Sequence, residues 1–408
     1  MTAPSSQRRA FTAFAHRNYR LWFVGQLVSL MGTWMQNTAQ GFLVFELTHS
    51  AAYLGYVAVA AGLPSWALML YGGVVADRVP KRTLLIVTQC LMMLLAVGLA
   101  AQAHFGHVQA WHVIAFAFLL GTVNAFDAPA RQSFVLELVN KADLTNAIAL
   151  NSGMFNAAAA VGPAIAGLTY SAFGPGLCFF INGCSFIAVI LALAMMNIAP
   201  KMHTGSRKSQ LADLKQGLVY VAGERRIRTL LALVGAMTLF GISFTTLLPA
   251  WSVRILHGNA ATNGLLMSAR GAGAMVSALG LASLGRIRSK GKVLVTNSYL
   301  FPFLLVAFTL TRSVGGSVIA IFIAGMASLL VLNLANALVQ TLVPDELRGR
   351  VMGLYTLIFL GSMPLGGMLM GTLAEYLNAP LAITVGASAL LVCVVIARLV
   401  EPGLKSLE

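Results

Sequence analysis

The sequence predicts an all-α membrane protein: twelve spans arranged as two parallel six-helix halves. Three observations carry this. The composition is that of an interior, the basic residues fall on one side of the predicted spans, and motifs recur about half a chain apart. Hydrophobic residues make up 58% of 408 and charged residues 10%, against about 25% charged in an ordinary soluble domain. No water-soluble globule has interior enough for that ratio.

An apolar run of about 20 residues spans a bilayer as a helix. Such runs fall at roughly 21–46, 52–76, 83–103, 111–136, 145–170, 177–197, 229–251, 263–285, 293–311, 316–342, 350–373 and 380–400. Arg8 and Arg9 precede the first run, but no small-residue cleavage site follows it. It reads as an uncleaved helix and not a signal peptide. With the spans threaded in order, 24 of the 27 Lys and Arg lie on one side. Arg254 and Arg312 lie on the other, and Arg270 is left inside a span. That asymmetry places both termini in the cytoplasm. The net charge of +15 is therefore topological, and no aromatic-interleaved basic surface suggests nucleic acid.

The long polar interval from Pro200 to Arg228 divides the chain. It carries Lys201, Arg207, Lys208, Lys215, Arg225, Arg226 and Arg228 around an amphipathic middle of Leu211, Leu214, Leu218 and Val219. A surface helix is expected there. The expected organisation is a first bundle over 1–199, a cytoplasmic linker over 200–228 and a second bundle over 229–408. The bundles echo each other. Ala51-Ala52-Tyr53-Leu54-Gly55 returns as Ala260-Ala261-Thr262-Asn263-Gly264, and at that offset Lys81 falls on Lys290 in Gly285-Arg286-Ile287-Arg288-Ser289-Lys290. Leu138-Val139 through Asp143-Leu144 returns as Leu342-Val343 through Glu346-Leu347. Two matches in the same order support parallel halves.

Between the second and third spans the chain reads Gly73-Val-Val-Ala-Asp77-Arg78-Val-Pro-Lys81-Arg82. Gly73 permits close helix approach, Asp77 can meet a helix N-terminus, and the cations hold the turn at the membrane surface. This pattern resembles the loop signature between helices two and three of the major facilitator superfamily. In the fifth span, Ala158-x-x-x-Gly162-Pro163-x-x-Ala166-Gly167 leaves a smooth stripe and a proline that weakens the helix ladder. Gly162, Pro163 and Gly167 resemble the antiporter signature of exporters in that superfamily. Pro364, Gly366, Gly367 and Gly371 form a counterpart in the eleventh span. Asn124-Ala-Phe-Asp127-Ala-Pro129-Ala-Arg131-Gln132 and Val343-Pro344-Asp-Glu-Leu-Arg348-Gly349-Arg350 are similar to the branch that holds the enterobactin exporter and macrolide efflux proteins. The resemblance implies proton-coupled export of amphipathic small molecules by alternating access. It also implies an inner-membrane monomer that uses the proton gradient and no cofactor.

Polar side chains that survive in hydrocarbon face a cavity or a partner. Gln26, Thr33, Asn37 and Gln40 share one broad face of the first span. Asn124, Asp127 and Arg131 do so in the fourth, Asn333, Asn336 and Gln340 in the tenth, and Thr238, Thr245 and Thr246 more softly in the seventh. In the superfamily these four helices line the central cavity. Trp34, Phe126, Phe240 and Phe244 add aromatic surface, which suits a large, weakly polar substrate. Asp127 is the carboxylate deepest in a span, with Arg131 four residues on. A structural ion pair and a protonation site both fit that pair. Arg270 stands alone in the eighth span, where it pairs across the bundle, faces the cavity or snorkels.

At the membrane surfaces, Glu46 and Glu375 are candidate outer gate groups. On the inner side Asp77 is expected to meet the start of the eleventh helix, beside Arg348 and Arg350, while Arg78 or Arg82 meets Glu137. Together with Gly73 and Lys81 these residues form the predicted conformational latch. Cys90, Cys178, Cys184 and Cys393 lie in apolar runs without metal spacing. His104, His107 and His112 read as exposed loop residues. No phosphate-binding Gly-Lys-Ser/Thr loop and no catalytic constellation stands out, so an enzyme is not expected. A lipid flippase, an importer or a non-transporting sensor on the same scaffold are the alternatives.

Overall fold

The computed structural model describes residues 11–197, 210–283 and 289–407. Arg8, Arg9, Lys201, Arg207, Lys208 and the Gly285-Arg286-Ile287-Arg288 copy lie outside those residues. The described structure is helical, without strands. The first half comprises α1 (Arg17–Thr48), α2 (Ala51–Arg78), α3 (Lys81–His104), α4 (Ala110–Leu138), α5 (Leu144–Phe173) and α6 (Pro175–Met195). Linker helix α7 (Gln210–Gly223) follows, then the interrupted α8 (Arg225–Arg254). The second half continues with α9 (Ala260–Ser283), α10 (Lys290–Thr309), α11 (Val314–Leu342), α12 (Asp345–Tyr376) and α13 (Ala379–Val400).

Eleven of these are long and apolar enough to cross a membrane. Two lie outside that set: the short linker helix α7, and α1, whose 32 residues carry Gln26, Gln36, Asn37 and Gln40. Of these two, α1 is long enough to cross. It is the most polar span because it sits at the centre of its half, packed on α5 and α6. Connections are short and locally encoded. Gly174, at φ +81°, ends α5, and Pro175 opens α6 at a position that needs no N–H donor. Within α8 the ladder changes over Met237–Gly241 and Ile242–Leu247. Pro249 lacks an N–H and crowds the preceding turn, and Ser243 Oγ donates to the Thr238 carbonyl at 2.6 Å. The predicted regular seventh span is thus a broken helix.

Helix pairing repeats between halves. α2 packs on α4 as α9 packs on α11, α3 on α4 as α10 on α11, and α3 on α6 as α10 on α13. The halves meet chiefly through two equivalent pairs, α2 with α12 and α5 with α9. Both seams are backed by small residues. A Cβ added at Gly264 would lie 2.3 Å from the Pro163 carbonyl oxygen, and one at Gly371 2.7 Å from that of Ala51. In both seams backbone meets backbone.

The seams are tight toward one face only. At the other face, which carries the Asp77 turn, α7 and the C-terminal residues, Gly153, Gly280, Gly349 and Gly353 would meet nothing within 4 Å. Of these, Gly153 shares the stripe of Gly167, and Gly349 and Gly353 that of Gly371, so both seams lose contact toward this basic face, while Glu375 with Ser50 and Ser171 with Ala261 tie the halves at the opposite one. Linker helix α7 lies against the basic end of α12, with Gly217 on the Arg350 backbone.

Gly264→Leu is expected to force α5 from α9 and destabilise the protein by about 1–3 kcal/mol. Gly153→Leu, in open space, should leave stability unchanged. Thermal unfolding of both purified variants checks the contrast.

Candidate functional site

Asp127 is 1% exposed. Its Oδ1 accepts from Thr88 Oγ1 at 2.8 Å and from Gln89 Nε2 at 2.9 Å, both on α3. Its Oδ2 lies 3.4 Å from Arg131 Nε. The carboxylate thus points into the α3–α4 contact and not into the space between halves. Thr88 and Gln89 were missed from sequence, although two adjacent polar residues in an apolar run were the available signal. The Thr88 hydroxyl also lies 3.0 Å from the Leu85 carbonyl. It has one hydrogen for two acceptors. Turned toward Asp127 it serves a carboxylate; turned toward Leu85 it can accept from a carboxylic acid. Both orientations keep the Thr88 hydroxyl hydrogen-bonded, while Gln89 Oε1 is enclosed without a partner.

The other polar stripes divide. Asn37 is exposed on the α1 face that carries Gly41, which in turn faces Pro249 of α8. Trp34 is half-buried between α1 and α5, edge-on to Phe155. Asn124 and Asn333 are half-buried, and Asn336 accepts from the exposed Gln340 at 2.5 Å. Each of these residues keeps part of its surface accessible. Four other expected cavity residues are engaged in helix packing. Gln26 is buried with Nε2 unpartnered, and Gln40 is buried, donating to the Val113 carbonyl at 3.1 Å. The stripe from 26 to 40 covers roughly 21 Å of helix, so its ends meet different neighbours from its middle. Phe244 is buried against Phe308 because the broken turn in α8 rotates it into the second bundle. Phe126 packs edge-on to Tyr71, in the α2–α4 contact. Phe240 is half-buried, with its carbonyl beside Gly386 of α13. Arg270 lies midway along α9, half-buried, with Nε enclosed and unpartnered.

At the closed face, Glu375 on α12 accepts from Ser50 Oγ at 2.9 Å and from the Ala51 and Ala52 amides at 2.8 and 3.3 Å. It caps the N-terminus of α2 from the other half, where the helix dipole favours an anion. Arg254 donates to the His49 carbonyl and sits 5.3 Å from the Phe45 ring centre. Ser171 Oγ accepts from the Ala261 amide at 3.0 Å. Glu46 does not bridge halves; it accepts from Tyr170 within its own.

At the basic face the expected pairing is corrected. Lys81, not Arg78 or Arg82, holds Glu137, at 2.5 Å and nearly buried. Helical spacing explains the exchange: Lys81, Leu85 and Thr88 form the stripe of α3 that faces α4. Arg82, one residue on, turns to α6 and donates to the Ala194 carbonyl at 2.9 Å. Asp77 and Arg78 are exposed and Gly73 is half-buried. Arg348 pairs with Asp345 and donates to the Gln340 carbonyl at 2.9 Å. Gly162 lies beneath Trp34, while Pro163 and Gly167 form the α5 side of the α9 seam.

Residues 8–406 match the family model described as transmembrane secretion effector. The chain belongs to this family of major facilitator transporters. Family members similar to it include the staphyloferrin A transporter of Staphylococcus aureus, 25% identical over 87% of this chain and 89% of that one. The multidrug efflux pump Tap of Mycobacterium tuberculosis is 28% identical over 94% and 93%. Macrolide efflux protein A of Streptococcus pyogenes is 23% identical over 88% and 89%. The major facilitator fold is shared with the nucleoside transporter NupG (TM-score 0.74, 13% identity, 94% of this chain and 99% of that one). It is shared also with an inward-facing bacterial homolog of the human lysosomal transporter Spinster (TM-score 0.70, 14% identity, 98% and 97%).

Within this transporter, breaking the Lys81–Glu137 pair from either side leaves a nearly buried charge, at a cost of about 3–5 kcal/mol. Lys81→Glu combined with Glu137→Lys is expected to recover most of the thermal stability lost in either single variant. The swap of Arg82 with Glu137 should recover none.

Proposed function

We propose that this transporter exports amphipathic small molecules from the cytoplasm in exchange for protons, by alternating access. One observation carries the proposal: two equivalent glycine-backed seams join the halves, tight at one face and open at the other. Contact of that kind lets each half rock as a body, since small residues neither interlock nor bury charge. The basic face is then cytoplasmic, by the positive-inside distribution, and the described arrangement is open to the cytoplasm. Asp127 is the proton carrier, with Thr88 as the hydroxyl that accommodates both protonation states and Arg131 as the nearby cation. The siderophore, multidrug and macrolide relatives support an amphipathic cargo.

A lysophospholipid flippase is the second reading. It is favoured by an apolar cleft of about 240 Å³ between α2 and α12, bordered by Leu63, Trp66, Leu357 and Leu365. Movement of labelled lysophospholipid, with no efflux of dyes or macrolides, would select it.

Inverted vesicles loaded by an imposed pH gradient test the main reading. Asp127→Asn should abolish gradient-driven accumulation of siderophores, macrolides or dyes, while gradient-free exchange and thermal stability persist. Unchanged gradient dependence would remove Asp127 from coupling. Glu375→Ala deletes the cap that joins the halves at the closed face. The expected shift is about 1–2 kcal/mol toward opening there, a factor of roughly 5–30 in population. Maleimide labelling of Ala58→Cys, which lies in the α2–α12 seam beside Gly367, reads it in a background free of native cysteines.

A further inference from the structure

Two charged side chains lie deep in the membrane-spanning region, and they differ. Asp127 is served by Thr88, Gln89 and Arg131. Arg270 has no hydrogen-bond or ion-pair partner among the described residues, and its Nε is enclosed. Glu46, Glu137, Asp143 and Glu375 are each held elsewhere, at helix ends. An unpartnered guanidinium at mid-membrane is costly, so a group that is not part of the resting protein must complete it.

The placement of Arg270 says where that group comes from. α9 turns Gly264 and Gly271 to α5 and Gly273 to α11. Its exposed apolar residues Leu265, Val276 and Leu279 mark the lipid side. At about 100° per residue, Arg270 lies on the other side of the helix from these, between α5 and α11. Asn263 and Ser277, seven residues before and after, fall on the same face. Both carry enclosed polar atoms without partners: the whole amide of Asn263, which is 0% exposed, and the Ser277 hydroxyl. Three polar groups left unsatisfied along one inward stripe form a track of about 21 Å. Asn37 of α1, which contacts α9, is as far from the closed face as Arg270, roughly ten residues of helix.

We infer that Arg270 is the receptor for a carboxylate on the transported molecule, so that this transporter handles organic acids in preference to lipophilic cations. A guanidinium matches a carboxylate with paired donors. The polar side chains expected in the cavity from α1 and α11 (Asn37, Asn333, Asn336) are neutral amides, which hydrogen-bond a polar cargo without competing for the cation. A cationic cargo would meet Arg270 with no acid to offset it. Asn263 and Ser277, both enclosed, leave the charged position flanked by neutral groups. The inference rests on the export reading and adds the charge of its cargo.

Binding to the purified full chain tests the cargo's charge separately from transport. The probes are fusidate, an amphipathic monocarboxylate, its uncharged methyl ester, and tetraphenylphosphonium. Fusidate should bind about tenfold or more tighter than the ester, as one charge-assisted hydrogen bond predicts. Arg270→Gln should abolish that ratio by weakening fusidate alone, and Arg270→Lys should keep part of it. A cation without a partner contributes nothing to the fold, so Arg270→Gln should also unfold at the same temperature as the parent or higher. Equal affinity for acid and ester, tighter binding of the phosphonium, or a ratio unchanged in Arg270→Gln would overturn the inference. So would loss of stability in Arg270→Gln, which would mark a structural role. Acid-selective binding without gradient-driven movement of any probe would count against the export reading and leave the assignment of Arg270 intact.

Discussion

Close backbone contact along two glycine-backed seams is the constraint on which the rest of this structure depends. Lipid gives two apolar helices no hydrophobic reason to associate, so halves in a bilayer are held by packing and hydrogen bonds. Gly55, Gly62 and Gly371 bring α2 against α12, and Gly167, Gly264 and Gly271 bring α5 against α9. A side chain at these positions would wedge the halves apart. Because most of that contact is backbone on backbone, with Pro364 on Gly62 and Trp66 bonded to the Leu357 carbonyl as the larger side chains of the α2–α12 seam, the surfaces can also slip. One set of residues thus supplies both adhesion and freedom to move.

Charge is distributed to leave those seams smooth. Lys81 and Glu137 neutralise each other inside the first half, and Asp127 is enclosed between α3 and α4. The charged contacts that do cross between halves sit at the membrane surface. There Glu375 meets the α2 N-terminus and Arg254 meets the His49 carbonyl and the Phe45 ring. At such a site water can replace either partner, so the contact is made and broken at modest cost. Buried charge is kept within a rigid body, and exchangeable charge is kept at its rim. Arg270 departs from that rule, and a departure of this kind marks function more than stability.

Much of the architecture was legible in the chain. Apolar runs of the right length, the one-sided Lys and Arg and the paired echoes are properties of composition and order, which no packing detail can alter. Side-chain partners were less accessible. The Lys81-Arg82 pair could be placed at a helix start, but which cation met Glu137 depended on the direction in which α3 faced α4. Gln26, Asn37 and Gln40 share a stripe, yet of the three only Asn37 is exposed, because α1 passes different neighbours along its length. Phe244 was displaced by a local change of helix type that Ser243 and Pro249 cause together.

By itself the sequence determined that this protein crosses a membrane many times, that it does so as a doubled unit, and where its polar and charged residues stand along each helix. Those features follow from the cost of polar groups in hydrocarbon, which acts on every residue separately. The tertiary structure decided which of these groups satisfy one another and which are left facing open space, since that depends on the rotation of each helix against its neighbours. In the chain Asp127 and Arg270 are both charges set deep in apolar runs, and a charge of opposite sign, Arg131, follows only the first. Only the packing around α4 and α9 made one a satisfied acid and the other a cation without a partner.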